Sequence, residues 1–248
     1  MHKAPLRAFL SRNPFPNGLT DGLFYREKMR AIHRIAPQRL RDDTRRPRVL
    51  DIGGGRSGLA ALLYPEAEVV TVDVDPALAG QGPAGARSVF VCADATRLPF
   101  EDGAFDAVTM FDVLEHIEAD GAAAAEAQRV VRPGGYVLVS TPCATWRYPH
   151  HGALRPVCPP EEELMAEWGH VRRGYAESEL RGLFGGAPER RASFINGFTA
   201  IYHDVAFSRL GRRARKLLYL AAAPLAAAGY MLHHPAGRGA ETAAAWRR

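Results

Sequence analysis

Cysteine is scarce in this sequence, and long apolar runs are absent from it. The three cysteines, Cys92, Cys143 and Cys158, are odd in number and lack the spacing of metal ligands, which disfavours both a disulfide framework and a zinc site. We interpret them as reduced thiols of a cytoplasmic protein, with Cys92 buried in a strand. Residues 1–10 contain charge and no sustained apolar region, so no signal peptide is expected.

The net charge is only +5, but positive and negative charges are distributed unevenly along the chain. Residues 1–48 contain 12 Lys or Arg against 4 Asp or Glu, and residues 206–248 contain 8 against 1. Residues 49–205 contain 12 basic against 22 acidic residues. An acidic body disfavours a surface that binds a nucleic-acid backbone, so we expect no nucleic-acid partner. The basic ends leave open a contact with anionic lipid or with an acidic partner.

Strand-like and helix-like segments alternate from Arg48 to Pro142. Such alternation predicts an α/β fold with a doubly wound, mostly parallel sheet and helices on both faces. The predicted strands cover residues 49–52, 69–74, 88–92, 107–111 and 136–140. The predicted helices between them lie near residues 58–63, 76–78 and 119–131.

The chain on either side of this region is predicted to add helices. Residues 1–46 are interpreted as an N-terminal helical lead-in, with a helix over 20–35 whose stripe contains Phe24, Lys28, Ile32 and Ile35. Residues 47–248 are interpreted as one domain, with further strands over 190–195 and 241–246. Within that domain, the loop 143–176 and a helical insert at 197–235 are expected to form a substrate lid.

Glycines follow the first predicted strand with a spacing that suits ligand binding. Residues 49–58 read VLDIGGGRSG, and Gly53, Gly55 and Gly58 fit a strand–turn–helix for a nucleotide-like ligand. Glycine suits such a turn because a Cβ would keep the ligand away from the backbone. Asp51 narrows the choice of ligand. A carboxylate before the turn would repel a pyrophosphate but suits a ligand that carries an ammonium and a sulfonium.

These residues resemble the cofactor loop of the class I S-adenosylmethionine-dependent methyltransferases. Four later stretches resemble that family in the same order: VDVDP at 72–76, CADA at 92–95 with LPF at 98–100, FDVLEHI at 111–117 and RVVRPGG at 129–135. The last two resemble the subgroup that includes quinone-biosynthesis and small-molecule methyltransferases. The resemblance is close over residues 48–142. It implies a Rossmann-like methyltransferase fold with S-adenosyl-L-methionine as the cofactor.

The resemblance also implies which side chains bind that cofactor. By position, Asp73 accepts hydrogen bonds from both ribose hydroxyls and Asp94 accepts one from the adenine amino group. Val74 and Ala95 lie beside these two acids. Asp51, with Gly53, Gly55 and Gly58, is assigned to the same cofactor, and Asp112 to its sulfonium end.

Histidines supply the candidates for proton transfer. If the acceptor is a hydroxyl, a base is needed, and His116 or His170 is the candidate; an activated carbon or an amine needs positioning alone. His150, His151 and His170 have no cysteine or carboxylate at ligand spacing, so we expect no metal. The acceptor is expected to be a small molecule or lipid-like, and its identity does not follow from the sequence.

Two other classes of function stay open at this point. A nicotinamide-dependent oxidoreductase shares the glycine turn and Asp73, but it does not explain Asp51, Asp94 or the Pro-Gly-Gly turn. A methyltransferase-like domain that has lost catalysis and serves as a binding or scaffold module would keep the same acids. Methylation of a nucleic-acid base is disfavoured, since Asp112-Val113-Leu114 stands where such enzymes have an Asn/Asp-Pro-Pro element.

Residues 209–232 combine a basic stretch with an apolar one. Five cations precede 16 residues without charge, 217–232: Arg209, Arg212, Arg213, Arg215 and Lys216. This composition predicts either peripheral contact with the inner face of a membrane or a lid or dimer contact. The apolar run is shorter than the roughly 20 residues that span a bilayer, and Pro224 is expected to interrupt it. The oligomeric state does not follow from the sequence.

Overall fold

The computed structural model describes residues 2–14, 21–41, 45–81 and 88–248. One sheet contains β1 Arg48–Ile52, β2 Glu68–Asp73, β3 Ser88–Cys92, β4 Phe105–Phe111, β5 Val131–Pro142, β6 Arg190–Phe194 and β7 Glu241–Arg247. The helices are α1 Leu6–Ser11, α2 Asp21–Ile35, α3 Leu59–Leu63, α4 Asp120–Val130, α5 Glu161–Trp168, α6 Glu177–Leu183, α7 Ala200–Ala206 and α8 Arg212–Leu232. Short 3₁₀ helices lie at Pro76–Leu78, Leu114–His116 and Gly152–Val157.

The order of strands in the sheet is β3-β2-β1-β4-β5-β7-β6. The first five strands pair in parallel, whereas β7 is antiparallel to both β5 and β6. Because β6 is antiparallel to β7, it runs in the same direction as the first five strands. The carboxyl ends of those six strands and the amino end of β7 therefore meet at one edge of the sheet. The predicted α/β fold with a mostly parallel sheet is confirmed.

Helices cover both faces of this sheet because its central strands are apolar on both sides. All residues of β4 are buried. On one face, Met29 and Ile32 of α2 pack in a core cluster with Leu63 of α3. On the other face, Ala123 and Ala127 of α4 pack in a second cluster. Buried on both sides, the strands hold the residues that follow their carboxyl ends in fixed positions.

Cys92 is exposed, whereas the sequence predicted that it is buried. It lies in β3, which is the edge strand of the sheet and has exposed or half-buried residues throughout. The prediction was wrong because an apolar run does not show whether its strand lies at the centre or at the edge of a sheet. Cys143 is half-buried and Cys158 is buried.

The helical insert consists of α7 and α8, and α8 continues through Pro224. The expected interruption at this proline was wrong. Pro224 lies on the exposed side of α8, where water can bind the Leu220 carbonyl that loses its helical donor. Among the described residues, no helix has the length and apolar content needed to cross a membrane. The lead-in helix begins at Asp21, and position 20, where it was predicted to begin, lies outside the described residues.

Candidate active site

The glycine turn after β1 has no space for side chains at Gly53 and Gly54. Gly53 and Gly58 have φ values of +65° and +53°, which favour glycine. A Cβ on Gly53 would lie 2.4 Å from Val113 Cγ2, and a Cβ on Gly54 would lie 2.4 Å from Oδ2 of Asp51. The turn therefore packs tightly against the segment that follows β4.

The carboxylate of Asp51 is buried beside this turn. Oγ1 of Thr109 in β4 donates a hydrogen bond to Asp51 Oδ1 at 2.6 Å. Asp51 Oδ2 is buried and has no hydrogen-bond partner among the described residues. Burial raises the pKa of Asp51 to about 6. A buried oxygen without a partner is costly, and it fits a ligand that brings positive charge to the turn.

Asp73 and Asp94 lie at the ends of neighbouring strands. Asp73 ends β2 and is half-buried, and its Oδ1 accepts a hydrogen bond from the backbone N–H of Asp75 at 3.1 Å. Asp94 follows β3 and is exposed, and its Oδ1 accepts the backbone N–H of Thr96 at 2.8 Å. A carboxylate can accept several hydrogen bonds at once. Both acids are therefore able to bind a ligand along this edge of the sheet.

The two small residues beside these acids differ in exposure. Val74 is 68% exposed, whereas Ala95 is buried. An apolar side chain as exposed as Val74, next to Asp73, offers a surface for an aromatic ring of the ligand.

A pocket of about 300 Å³, open to solvent, lies beside the end of β4. Its walls come from α2, the segment after β4, the loop 143–176, α7 and the first residue of β7. Six lining residues are aromatic: Phe24, Tyr25, Trp146, Trp168, Tyr202 and Phe207. Six others are titratable: Asp112, Glu115, His116, His170, His203 and Glu241. We call this the aromatic pocket.

Asp112 is fixed at the mouth of the aromatic pocket by two neighbours. Its φ of +53° is uncommon for a residue other than glycine. Oγ of Ser140 donates a hydrogen bond to its Oδ1 at 2.6 Å, and Nζ of Lys28 forms an ion pair with its Oδ2. Burial of Lys28 favours the neutral amine, but the carboxylate of Asp112 outweighs it, so that the pKa of Lys28 is raised.

Two buried glutamates lie on the floor of the same pocket. Glu115 is 1% exposed, and Oγ1 of Thr141 donates a hydrogen bond to its Oε2 at 3.0 Å. Burial, together with the charge of Asp112, raises the pKa of Glu115 to about 8. The same two causes raise the pKa of Glu241. Glu241 Oε2 is buried and lacks a hydrogen-bond partner among the described residues.

The candidate bases His116 and His170 are brought together in the aromatic pocket. Their ring centroids are 4.7 Å apart and the rings are nearly perpendicular. Nδ1 of His116 donates a hydrogen bond to the carbonyl of Gly169 at 3.1 Å, which leaves Nε2 as the acceptor of the neutral ring. Burial and the neighbouring His116 lower the pKa of His170 to about 4. His170 is therefore neutral at pH 7, but a pKa this low makes it a weak base.

A second group of histidines surrounds Asp204 of α7. Nδ1 of His150 lies 2.9 Å from Oδ1 of Asp204, and Nδ1 of His151 lies 2.7 Å from its Oδ2. Sequence spacing did not reveal this carboxylate partner, because α7 is distant in the chain. Ligand atoms of His150, His203 and Asp204 lie within 4.8 Å of one another, as do those of Glu115, His116 and His170. In the first group, however, hydrogen bonds to the histidines already occupy both oxygens of Asp204.

Comparison with known proteins supports one interpretation of this edge of the sheet. Residues 50–139 match a family model described as a methyltransferase domain. The chain is 40% identical over 95 residues to a demethylmenaquinone methyltransferase of Beutenbergia cavernae. It is 39% identical over 104 residues to a ubiquinone/menaquinone biosynthesis C-methyltransferase of Pseudomonas putida. These matches cover 38% and 37% of this chain and 40% of each relative, so the chain spans less than half the length of these relatives.

A solved structure shows the same fold over nearly the whole chain. It is the N-methyltransferase NodS from Bradyrhizobium japonicum in complex with S-adenosyl-L-homocysteine, with a TM-score of 0.53 and 16% identity. The similarity covers 98% of this chain and 96% of that one. Residues 50–139 are therefore similar to a methyltransferase domain, and the chain shares the fold of NodS.

The matched residues include the glycine turn, Asp73, Asp94 and Asp112. Most walls of the aromatic pocket lie outside the matched residues. Phe24 and Tyr25 precede the matched residues, and the loop 143–176, α7 and Glu241 follow them. The family match therefore covers the glycine turn and the neighbouring strand ends and does not extend to most walls of the aromatic pocket.

Sequence analysis missed the buried charges of the site. Lys28 was included in the stripe of the lead-in helix, and a lysine at an apolar position was the signal for a buried ion pair. Glu241 precedes a run of alanines in a predicted strand, and an acid at a buried strand position was a similar signal. His203 and Asp204 lie within the apolar repeat that forms α7 and were not considered.

Proposed function

We propose that this protein transfers a methyl group from S-adenosyl-L-methionine to a small-molecule or lipid-linked acceptor bound in the aromatic pocket. The observation that carries this proposal is the position of the residues that follow β4. Val113 packs against the glycine turn, while Asp112, Glu115 and His116 on either side of it line the pocket. One short segment thus separates the predicted cofactor site from a cavity large enough for an organic molecule.

The strand ends supply the groups that hold the cofactor in this proposal. Asp73 accepts the ribose hydroxyls, Asp94 accepts the adenine amino group, and the glycine turn with Asp51 adjoins the methionine end. The sulfonium of this cofactor makes its methyl group electrophilic. The chain therefore has to position the acceptor and exclude water, and the aromatic walls of the pocket suit both tasks.

The relatives support a small acceptor without identifying it. Their names assign them to demethylmenaquinone and to ubiquinone/menaquinone biosynthesis, and both substrates contain a ring that aromatic side chains would accommodate. The pocket walls of this chain lie largely outside the matched residues. The acceptor is therefore proposed from the pocket itself.

Residues 209–232 support peripheral contact with the inner face of a membrane. Arg212, Arg213 and Lys216 are exposed at the start of α8. Farther along, the same helix exposes apolar side chains: Leu217, Leu220, Leu225, Met231 and Leu232. Cations beside an exposed apolar stripe are typical of a helix that lies on anionic lipid. A lipid-linked acceptor would then reach the pocket from the membrane side.

Cofactor binding by Asp73→Ala tests the proposed methyltransferase activity. We expect S-adenosyl-L-methionine to bind ten- to a hundredfold more weakly, since the loss of a paired hydrogen bond costs about 1.5–3 kcal/mol. The measurement is calorimetric titration, with NADH as a second ligand that should not bind. Glu66→Ala, an exposed change away from the site, is the control. Unchanged affinity in a folded Asp73→Ala protein would contradict the assignment.

A further inference from the structure

We propose that the aromatic pocket recognises its acceptor through a cationic nitrogen, with Glu241 as the anchoring carboxylate. This inference rests on the proposed function, because it specifies the acceptor of the same site. It differs from a neutral, quinone-like acceptor in one testable property, which is the positive charge.

The position of Glu241 is the first observation. Glu241 is the first residue of β7 and pairs with Pro142 of β5 and Phe194 of β6. Because β7 is antiparallel to these strands, its amino end lies at the edge of the sheet where their carboxyl ends lie. Glu241 is 8% exposed and lines the pocket, and its Oε2 has no hydrogen-bond partner in the described part of the chain. A buried acceptor of this kind calls for a donor or a cation from a ligand.

The balance of charge is the second observation. Three carboxyl groups line the pocket, those of Asp112, Glu115 and Glu241, and its described lining includes neither lysine nor arginine. Lys28 adjoins them and forms an ion pair with Asp112. Among the described residues, Lys28 is the one cation whose charge acts on Glu115 and Glu241, and it cannot balance all three acids once they are ionised. A ligand with a positive nitrogen would supply the missing positive charge.

The aromatic rings are the third observation. A cation near the face of an aromatic ring is attracted by the negative charge of that face, and more strongly when water is excluded. One example adjoins the pocket, because Nζ of Lys28 lies 5.2 Å from the ring centroid of Tyr25, a lining residue. Trp146, Trp168 and Phe207 line the remaining walls. Tryptophan is the ring that binds cations best.

The protonation of the glutamates explains how the pocket stays stable before an acceptor binds. Burial and the nearby acids Asp112, Glu115 and Glu27 raise the pKa of Glu241, against the opposing charge of Lys28. A protonated Glu241 is neutral, so burying it costs little. A cationic nitrogen favours the carboxylate form. Binding of the acceptor is therefore expected to release a proton.

The test compares two probes that differ only in charge. Choline carries a trimethylammonium group, and 3,3-dimethylbutan-1-ol has the same shape with a neutral carbon in place of the nitrogen. Binding of each to the whole chain is measured by tryptophan fluorescence and by calorimetry at pH 7, without cofactor. We expect choline to bind at least tenfold more tightly. Calorimetry in two buffers of different ionisation enthalpy should show proton release with choline alone.

Variants of pocket residues test whether the preference for choline arises in the aromatic pocket. Glu241→Gln should abolish the tenfold preference and the proton release, whereas Glu66→Gln, an exposed control, should keep both. If Glu241→Gln does not fold, Trp168→Leu provides the same comparison through the loss of a ring. Equal affinity for the two probes, or a preference that survives these changes, would overturn the proposal. A chain that binds S-adenosyl-L-methionine but shows no preference contradicts the cationic acceptor alone, whereas a preference without cofactor binding contradicts the proposed methyl transfer.

Discussion

His116 and His170 lie side by side, but they differ in exposure and in hydrogen bonding. His116 is exposed and its ring is oriented by the Gly169 carbonyl. His170 is half-buried, and its Nδ1 is buried without a hydrogen-bond partner among the described residues. The pKa of His170 is lowered to about 4, mainly by burial. A base with this pKa keeps its proton-accepting form across the physiological pH range.

Substitution of each histidine distinguishes a base from a positioning group. We expect His170→Ala or His116→Ala to lower turnover by roughly a hundredfold or more if that residue is the base. The affinity for S-adenosyl-L-methionine should stay unchanged, because neither residue belongs to the proposed cofactor site. Turnover is measured with methyl-labelled cofactor, and His234→Ala, exposed after α8, is the control. Full turnover in both variants would mean that the acceptor needs no histidine base.

At the residue scale, sequence analysis located the acids at strand ends and missed the acids of the pocket floor. Asp73 and Asp94 follow predicted strands, so local pattern was enough to place them. Glu241 and Lys28 come from opposite ends of the chain, and only the packing of α2 over β7 makes them neighbours. No local pattern contains that information. The assigned roles of the cofactor-binding residues and of the two histidines stay predictions.

The two sides of helix α8 differ strongly in their exposure to solvent. Its inner side packs closely on the segment before α7, where a Cβ on Gly229 would lie 2.7 Å from Cβ of Phe198. Its outer side exposes Leu217 at 68% and Leu232 at 82%. An apolar stripe of this length, with cations at one end, is costly in water and is stabilised by a partner surface.

Liposome binding tests whether that partner is a membrane. We expect the protein to sediment with anionic liposomes at low salt and to be released at high salt, since each cation contributes about 1 kcal/mol near the surface. Reversal of two charges, Arg212→Glu with Arg213→Glu, should abolish sedimentation. Arg238→Glu, exposed and outside α8, should not. A folded protein that stays in solution at low salt would leave the lid or the dimer contact as the role of α8.

At the element scale, most strands and helices were predicted within a few residues, because each has its own apolar period. The order of the last two strands was not predicted. β7 inserts between β5 and β6, and this choice depends on pairing between distant segments. The insertion is important for the site, because it brings Glu241 to the edge where the other strands end.

At the scale of the whole molecule, the buried titratable groups make folding depend on pH. Glu27 and Glu115 have pKa values raised by burial to about 7 and about 8, and that of Glu241 is raised too. His170 and His203 have pKa values lowered by burial to about 4 and about 3. The folded protein thus keeps protons on these three glutamates and excludes them from these two histidines. Both effects avoid charge in the interior.

The buried glutamates and the buried histidines change the stability in opposite directions as the pH rises, and they do so over different pH ranges. In the unfolded chain the histidines are half protonated at about pH 6.5, so their effect, a rise in stability with pH, fades above that value. The glutamates lose their protons near pH 4.5 when unfolded but only near pH 7 to 8 when folded. Above pH 6.5 the folded state therefore binds more protons than the unfolded state. The free energy of unfolding must then fall as the pH rises.

We accordingly expect stability, measured by urea unfolding of the protein without ligands, to fall between pH 6.5 and pH 8. One retained proton contributes a slope of at most about 1.4 kcal/mol per pH unit. Glu115→Gln removes one such proton, so its unfolding free energy should fall less steeply over the same interval. Glu66→Gln, exposed in the folded state, should keep the original slope. Stability that rises over this interval, or a slope that Glu115→Gln leaves unchanged, would show that Glu115 is ionised in the folded protein and that the pocket floor already holds its negative charge.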